Sequence, residues 1–345
     1  MPLNTPVRDA SRPLASIGER ALIQRIRDRF PAPAGILDIG IGDDAAVISG
    51  LRNELQVLTT DALVEGVHFD RRFSSLADVG YKALAVNVSD VAAMGGTPRL
   101  ALLSLILPAA LSVADVDALL DGFAEMAAEA GVTLAGGNVT TSPGPLVVDV
   151  TAVGSVRRRR ILTRGGGKPG DLLYVTGSVG AAAAGLGWLR SMAGNTNADE
   201  AGVTELVNRH RRPVPRLRMG ALLGRSRAAT ACMDLSDGLA DAVAQLAAAS
   251  GTGAAIRAEA IPVQESARRW FLAQGQDPIV AALAGGDDYE LLFAVSPRHR
   301  GRLRTVIRQG RGVAVTEIGE LTPAPAILLE RNGATEPLPQ GFTHF

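Results

Sequence analysis

Twelve residues, Asp43 to Glu54, separate the glycine turn of "ILDIGIGDDAAVI" from the next strand-like run, and no other feature constrains the fold more. Gly40, Gly42 and Ala45 fall on G-x-G-x-x-A, and Asp61 lies nineteen residues past Gly42, where a dinucleotide fold places its ribose carboxylate. Such a fold needs a helix directly after the turn, because the helix N-terminus holds the pyrophosphate. The interval instead carries the β-favouring Ala46-Val47-Ile48 and a Ser49-Gly50 break, which leaves no room for one. A dinucleotide fold is excluded.

The turn also brings its own charge, because Asp43 and Asp44 stand where phosphate should meet bare amides. Two like charges about 4 Å apart cost about 4 kcal/mol at an effective dielectric near 20. A polyphosphate adds to that cost unless a divalent cation lies between. Magnesium takes oxygen ligands and binds through a few carboxylates together with substrate phosphates. The loop can therefore meet phosphate through metal, and further carboxylates are expected at strand ends. The candidates are Asp44, Asp61 in "LTTDALVEGVHF", Asp90 in "NVSDVAAMGG", Asp234 and Asp237 in "MDLSDGL", and Asp287 and Asp288 in "GGDDYELLF". Each alone reads better as a capping or turn aspartate. Their recurrence beside small residues in five clusters is what points to metal.

Periodicity places these clusters. Gly18–Phe30 has helical spacing at Leu22, Ile23, Ile26 and Phe30, stopped by Pro31 and Pro33. Strands are expected at Ala45–Ile48 and Leu55–Thr59, the second ending in Thr59-Thr60-Asp61. "ADVGYKALAVNVSDVAAMGG" reads as a helix stopped by Gly95-Gly96, "LALLSLILP" as a buried strand, and "ADVDALLDGFAEMAAEAG" as an amphipathic helix ending at Gly131. "TLAGGN" and "PLVVDVTAVGSV" read as strands. The run "RRRRILTRGGGKPGD" shifts from charge to glycine and proline, as linkers do. It divides the chain into an α+β domain at 1–153 and an α/β domain at 154–345, and 345 residues suit two domains. In the second, "ATACMDLSDGLADAVAQLAAAS" is a strand entering a helix, with Asp237 or Ser236 as N-cap and Leu239, Val243 and Leu246 as the buried stripe.

Composition excludes other classes. Thirty-five basic and thirty-five acidic residues cancel, so no global charge favours nucleic acid or a membrane surface. The longest apolar run, "LALLSLILPAAL", is too short to span a bilayer, and no secretory signal is visible. One cysteine, Cys232, excludes an internal disulfide and fits a reducing compartment, so a soluble cytoplasmic protein is expected. "GGGKPGD" lacks the P-loop glycine spacing and its Ser/Thr, and no H-R-D, D-F-G or G-x-S-x-G is present. Four histidines and one cysteine form no zinc set, and no His–Asp pair reads as catalytic. Arg157–Arg160 reads as a solvated strand end, and Cys232 as a core residue.

The motifs "GIGDDAAV", "TTDALVEGVHF", "YKALAVNVSDVAAMGG", "LTRGGGKPGD", "MDLSDGLADA" and "GGDDYELLFAV" together resemble the thiamine-monophosphate kinases of the aminoimidazole-ribonucleotide-synthetase-like ATP-binding superfamily. The resemblance runs from Gly18 to the closing "GFTHF". It implies an N-terminal domain that dimerises through its sheet, a C-terminal α/β domain, and a homodimer with active sites near the interface. It implies transfer of the ATP γ-phosphoryl group to thiamine monophosphate, giving thiamine diphosphate and ADP, with several magnesium ions. Carried over by position, Asp44, Thr59, Thr60, Asp61, Asp90, Asn138, Asp234 and Asp237 hold magnesium. Gly137, Asn138, Arg164 and Ser236 contact ATP, and His68, Asp287 and Phe342 contact thiamine monophosphate.

Three positions depart from the family pattern: Asn138 replaces an Asp, Asp287 a Glu, and Phe342 a Trp or Tyr. The first removes an anionic ligand from one metal site. The nucleophile is already an anionic phosphate oxygen, so no general base is implied, and metal clamps and positioning supply the catalysis. Two alternatives stand beside this reading: an aminoimidazole ribonucleotide synthetase, and a non-catalytic nucleotide-binding paralogue. "EGVHF" and "GGDDYEL" argue against the first. Selenophosphate synthetase relatives need an N-terminal reactive cysteine, and hydrogenase-maturation relatives end in one; this sequence has neither.

Overall fold

A computed structural model describes residues 18–31, 37–39, 47–48, 53–191, 202–339 and 341. The glycine turn with Asp43 and Asp44, and Phe342, lie outside the described residues. The chain divides into two compact units: one of Met1–Arg52, Leu58–Asn87 and Pro98–Val153, the other of Asn53–Val57, Val88–Thr97 and Gly154–Phe345.

The first part of the chain contains α1 (Gly18–Arg29), β1 (Leu37–Ile39), β2 (Val47–Ile48), β3 (Glu54–Val64), α2 (Leu76–Ala93), β4 (Thr97–Pro108), α3 (Val113–Ala130), β5 (Thr133–Ser142) and β6 (Val147–Arg157). β1 and β2 pair antiparallel, whereas successive strands of a dinucleotide fold run parallel. The other four strands form a sheet in the order β3-β6-β4-β5, with β4 and β5 parallel. α3 starts where Ser112 and Asp115 form a reciprocal capping box and stops at Gly131, whose φ of 68° is left-handed. Its buried face carries Val116, Leu119, Leu120 and Phe123. Phe30 meets Phe123 edge-on with centroids 5.8 Å apart, and the Arg25 guanidinium forks onto buried Asp117. β4 is not buried throughout: Leu100, Leu103, Leu105 and Leu107 face the core while Leu102 is 40% exposed. Its apolar run therefore covers one buried face and one open one.

β3 differs from expectation in a way that matters for the site. It continues to Val64, so Thr59-Thr60-Asp61 lie inside the strand and not at its end. Pairing with β6 sets the strand's length, and Thr60 on its exposed face with half-buried Thr59 and Asp61 on the other does not interrupt it.

The second part contains β7 (Leu172–Thr176), α4 (Ala181–Ser191), α5 (Val203–Arg211), α6 (Leu217–Ser226), β8 (Ala231–Asp234), α7 (Leu239–Ser250), β9 (Gly253–Arg257), α8 (Glu265–Ala273), α9 (Pro278–Ala284), β10 (Leu291–Val295), α10 (Arg300–Gln309), β11 (Val315–Thr322), β12 (Ile327–Arg331) and β13 (Ala334–Pro337). Seven strands form one sheet, ordered β13-β12-β9-β11-β7-β10-β8. Only β9 and β12 pair parallel; the other neighbours are antiparallel. Period-two alternation gives the sheet two cores. Leu173 and Val175 of β7 with Leu292 and Ala294 of β10 share one core with Leu239, Val243 and Leu246 of α7. Leu172 and Tyr174 with Leu291, Phe293 and Val295 share the other with Met219, Leu222 and Leu223 of α6 and Leu303 of α10. Burial on both faces explains why β7 and β10 read as continuous apolar runs.

Candidate active site

In the first unit the candidate residues lie on β3, the turn after it, and β5. Thr60 Oγ1 lies 3.2 Å from each of Asp149 Oδ1, Val150 O and Thr151 Oγ1 of β6. Thr59 and Asp61 flank it, half-buried. Asp149 is a carboxylate that the sequence motifs did not single out. The turn after β3 is closed by the Val64 N–H donating to His68 Nδ1 at 3.0 Å. An Nδ1 that accepts leaves Nε2 to carry the proton of the neutral ring. On β5, Gly137 and Asn138 sit opposite Leu103 and Ser104 of β4. A Cβ on Gly137 would lie 1.8 Å from the Leu103 carbonyl oxygen, so only glycine allows this strand approach. The Asn138 side is exposed.

In the second unit β8 ends at Asp234, which is 3% exposed. Ser89 of α2 donates its hydroxyl to Asp234 Oδ2 at 2.6 Å. Burial raises the Asp234 pKa well above the ordinary carboxylate value and the charge of Asp90 raises it further; the Ser89 hydrogen bond and the Arg164 charge oppose them. Asp90 lies in α2, not at a strand end, and reaches Asp234 electrostatically because α2 carries it there. Arg164 is exposed in the segment before β7, its Nη1 donating to Gln245 Oε1 of α7 at 2.6 Å. Ser236 and Asp237 lie between β8 and α7, but neither side chain caps the helix. Its N-cap is Gly238 at φ 100°, with no side-chain cap bond. That φ favours glycine over a capping aspartate or serine. Both side chains thus remain outside the cap.

The "GGDDYE" segment runs beside this turn and continues the β8–β10 ladder past its strand ends. Leu235 N–H donates to Glu290 O at 2.9 Å, Tyr289 N–H to Leu235 O at 2.9 Å, and Asp287 N–H to Ser236 O at 2.7 Å. Asp287 and Tyr289 both have left-handed φ, 69° and 49°. The three acids of the segment then diverge. Asp288 is buried and accepts Gly180 N–H at 2.7 Å and Ala182 N–H at 3.3 Å, so it serves the start of α4. Burial pushes its pKa up to about 7 against those two hydrogen bonds. Glu290 is fully buried, takes the Thr176 hydroxyl at 2.7 Å, and receives the Arg216 fork, with Arg209 Nη1 3.7 Å away. Asp287 alone keeps a partly open carboxylate, 3.3 Å from His210 Nδ1. A His–Asp pair is therefore present, its members separated by seventy-seven residues and invisible as a local motif.

The donors fit magnesium. Asp234, Asp90 and Ser89 offer oxygen only, and a buried carboxylate beside a second one favours a hard divalent cation. Among the described residues, no three His, Cys, Asp or Glu side chains gather as a ligand set. Cys232 is buried with its thiol pKa raised by burial, so it is no ligand. Asp288, met by two backbone N–H groups, serves the fold.

Fold and site together define a two-domain protein of the AIR synthase related family. Its N-terminal domain matches residues 42–156 and its C-terminal domain residues 168–330. Within that family the chain belongs to the thiamine-monophosphate kinases. It is 37% identical to the Escherichia coli K12 thiamine-monophosphate kinase over 335 residues, covering 95% of this chain and 98% of the relative. The Stenotrophomonas maltophilia K279a thiamine-monophosphate kinase crystal structure superposes with a TM-score of 0.80 at 36% identity, covering 91% of this chain and 96% of that one. AaThiL, solved in complex with AMPPCP and TMP, superposes with a TM-score of 0.75 at 32% identity, covering 96% and 98%. Among the described residues no helix is long and apolar enough to cross a membrane.

Proposed function

We propose that this chain phosphorylates thiamine monophosphate with ATP, giving thiamine diphosphate and ADP. The observation that carries the proposal is the buried Asp234 carboxylate, crowded by Asp90, at the end of β8. Its charge calls for a divalent cation, and a phosphoryl-transfer site needs one. The similarity to AaThiL, solved with an ATP analogue and TMP over nearly the whole chain length, supports both substrates.

Asp44, Thr59, Thr60, Asp61, Asp90, Asn138, Asp234 and Asp237 hold magnesium in this reading. Magnesium, when bound, neutralises phosphate oxygens that would otherwise repel one another. Ser89 orients Asp234 by donating to Oδ2. Gly137, Asn138 and Ser236 contact the nucleotide. Arg164 offers a planar fork to its phosphates, exchanging its bond to Gln245 for them. His68, with its proton on Nε2, donates to the acceptor phosphate. Asp287 offers its open carboxylate to the cationic thiazolium, and Phe342 stacks on an aromatic ring. The attacking phosphate oxygen is already anionic, so no residue needs to remove a proton, and the protein's task is alignment and charge stabilisation.

The reading includes a cytoplasmic homodimer formed through the β3-β6-β4-β5 sheet, whose Leu58 and Leu102 are exposed. A coupled ADP-release assay tests the activity. ADP should form with thiamine monophosphate and magnesium, and not with thiamine or aminoimidazole precursors. Diphosphate formation from free thiamine by the purified protein alone would overturn the proposal, because this reading gives no residue the task of activating a hydroxyl. Sedimentation velocity tests the dimer.

A further inference from the structure

Of the three acids in "GGDDYE", Asp288 and Glu290 are buried and engaged by the fold, while the Asp287 side chain keeps 30% exposure. Its two oxygens face different partners. The Tyr289 hydroxyl donates to Oδ1 at 3.3 Å, and His210 Nδ1 lies 3.3 Å from Oδ2. The approach is at ion-pair distance without hydrogen-bond alignment, and a proton on Nδ1 would make it attractive, because a carboxylate offers only lone pairs. His210 is itself buried, 4% exposed at its side chain, on the last turn of α5. The ring is anchored on both sides along the chain: its neighbour Arg209 lies 3.7 Å from Glu290, and Arg216, five residues beyond Arg211, forks onto the same Glu290. α5 thus approaches the Asp287 segment twice, at Arg209 beside Glu290 and at His210 beside Asp287.

We infer that His210 is a positioning residue for thiamine monophosphate, holding the Asp287 carboxylate in the rotamer that meets the substrate. The inference rests on the reading of Asp287 as a substrate contact. An aspartate on a left-handed backbone has several staggered side-chain rotamers available, and only some direct the carboxylate to one place. Tyr289 fixes Oδ1 from within the segment. His210 fixes Oδ2 from another element, so the pair leaves the carboxylate a single orientation. A site held by groups that are themselves immobile binds without the cost of ordering on each encounter.

The test compares His210→Leu, His210→Asn, Asp287→Asn and the double variant His210→Leu/Asp287→Asn. Affinity for thiamine monophosphate is measured by calorimetry without ATP, KM for both substrates by ADP release, and folding by thermal melting. His210→Leu should weaken thiamine monophosphate binding about tenfold and leave the KM for ATP unchanged. His210→Asn should recover most of that loss, because its amide nitrogen can take the place of Nδ1. The double variant should bind no worse than Asp287→Asn, since His210 acts only through that carboxylate. Unchanged substrate affinity in His210→Leu, an equal rise in both KM values, or multiplicative losses in the double variant would overturn the inference. If Asp287→Asn binds normally, the reading of Asp287 fails first; if it binds weakly while His210→Leu does not, only the role of His210 fails. Should the leucine variant not fold, His210→Asn against His210→Gln decides: equal affinity in the two overturns the inference.

Discussion

Glu290 is the residue whose loss should cost the fold most. It is fully buried, and its carboxylate takes the Thr176 hydroxyl at 2.7 Å, the Arg216 Nε at 2.5 Å and the second Arg216 nitrogen. Arg216 is nearly as enclosed, with 12% of its side chain exposed. Removing one partner of a buried pair leaves the other charge uncompensated, at a cost of about 3–5 kcal/mol. Arg209 lies 3.7 Å away as a second cation, so Glu290→Gln leaves two like charges facing each other. Arg209 is 26% exposed, so solvent screens part of that repulsion and the range is not raised. For a unit of this size, 3–5 kcal/mol lowers Tm by about 6–20 °C. Scanning calorimetry on Glu290→Gln, Arg216→Met and the double variant checks both size and cause. Each single change should destabilise strongly. The pair together should cost far less than the sum, because replacing both partners leaves no orphaned charge. Additive losses, or a Glu290→Gln penalty under about 1 kcal/mol, would refute the assignment of this pair as the tie between α6 and the β10 start. A Cβ on Gly177 would lie 2.1 Å from Glu290 Oε1, so Gly177→Ala should disturb the same tie and show the same coupling to Arg216→Met.

Asp61→Ala should lower kcat by at least about a hundredfold, about 3 kcal/mol, with a smaller effect on KM for thiamine monophosphate; a rate within about tenfold of wild type would leave Asp61 a strand residue only. Arg164→Lys should raise the KM for ATP severalfold, because a point charge cannot reproduce a planar fork, and initial rates against ATP at moderate salt measure it. Asp288 has a folded pKa raised to about 7 from 3.8, so the folded state keeps a proton that the unfolded state releases. Its contribution to stability is therefore lost as pH rises from about 4 through about 7 and is level above; Asp288→Asn should flatten that fall in urea-melt profiles, and parallel profiles would exclude the assignment.

How far the fold could be read from the sequence depended on how local its causes are. α3 was legible because its stop, Gly131, and its apolar stripe lie within the helix itself. The buried stripe of α7 was legible for the same reason, yet its cap was not. Asp237 and Ser236 are good caps by type, but the ladder from Leu235 to Glu290 continues past β8 and hands the cap position to Gly238. Thr59-Thr60-Asp61 looked like a strand end because polar residues usually are one; pairing with β6 carries the strand to Val64. Asp90 shared its small-residue context with the turn acids although it sits in a helix, so composition could not tell the two local settings apart. Asp149 and Ser89 had no signal at all, because strand registry and helix position bring them to Thr60 and Asp234. His210 was invisible because its partner lies seventy-seven residues on.

The acidic motifs also differ in how completely the fold answers each acid. Direction of pKa shift does not separate them: burial raises both Asp234 and Asp288. Their remaining neighbours do. Asp288 is met by two backbone N–H groups at the start of a helix, an arrangement complete within the protein. Glu290 is met by two arginines and a hydroxyl, with charge and lone pairs both answered. Asp234 is met by one serine hydroxyl and the charge of Arg164, but after burial the largest influence on it is another carboxylate, Asp90, which works against ionisation. A buried acid placed beside a second acid gains little from the fold and gains most from a cation brought in from outside. Phosphoryl transfer needs such a cation between two polyanions, so the imbalance at Asp234 is what the reaction would require of this strand end.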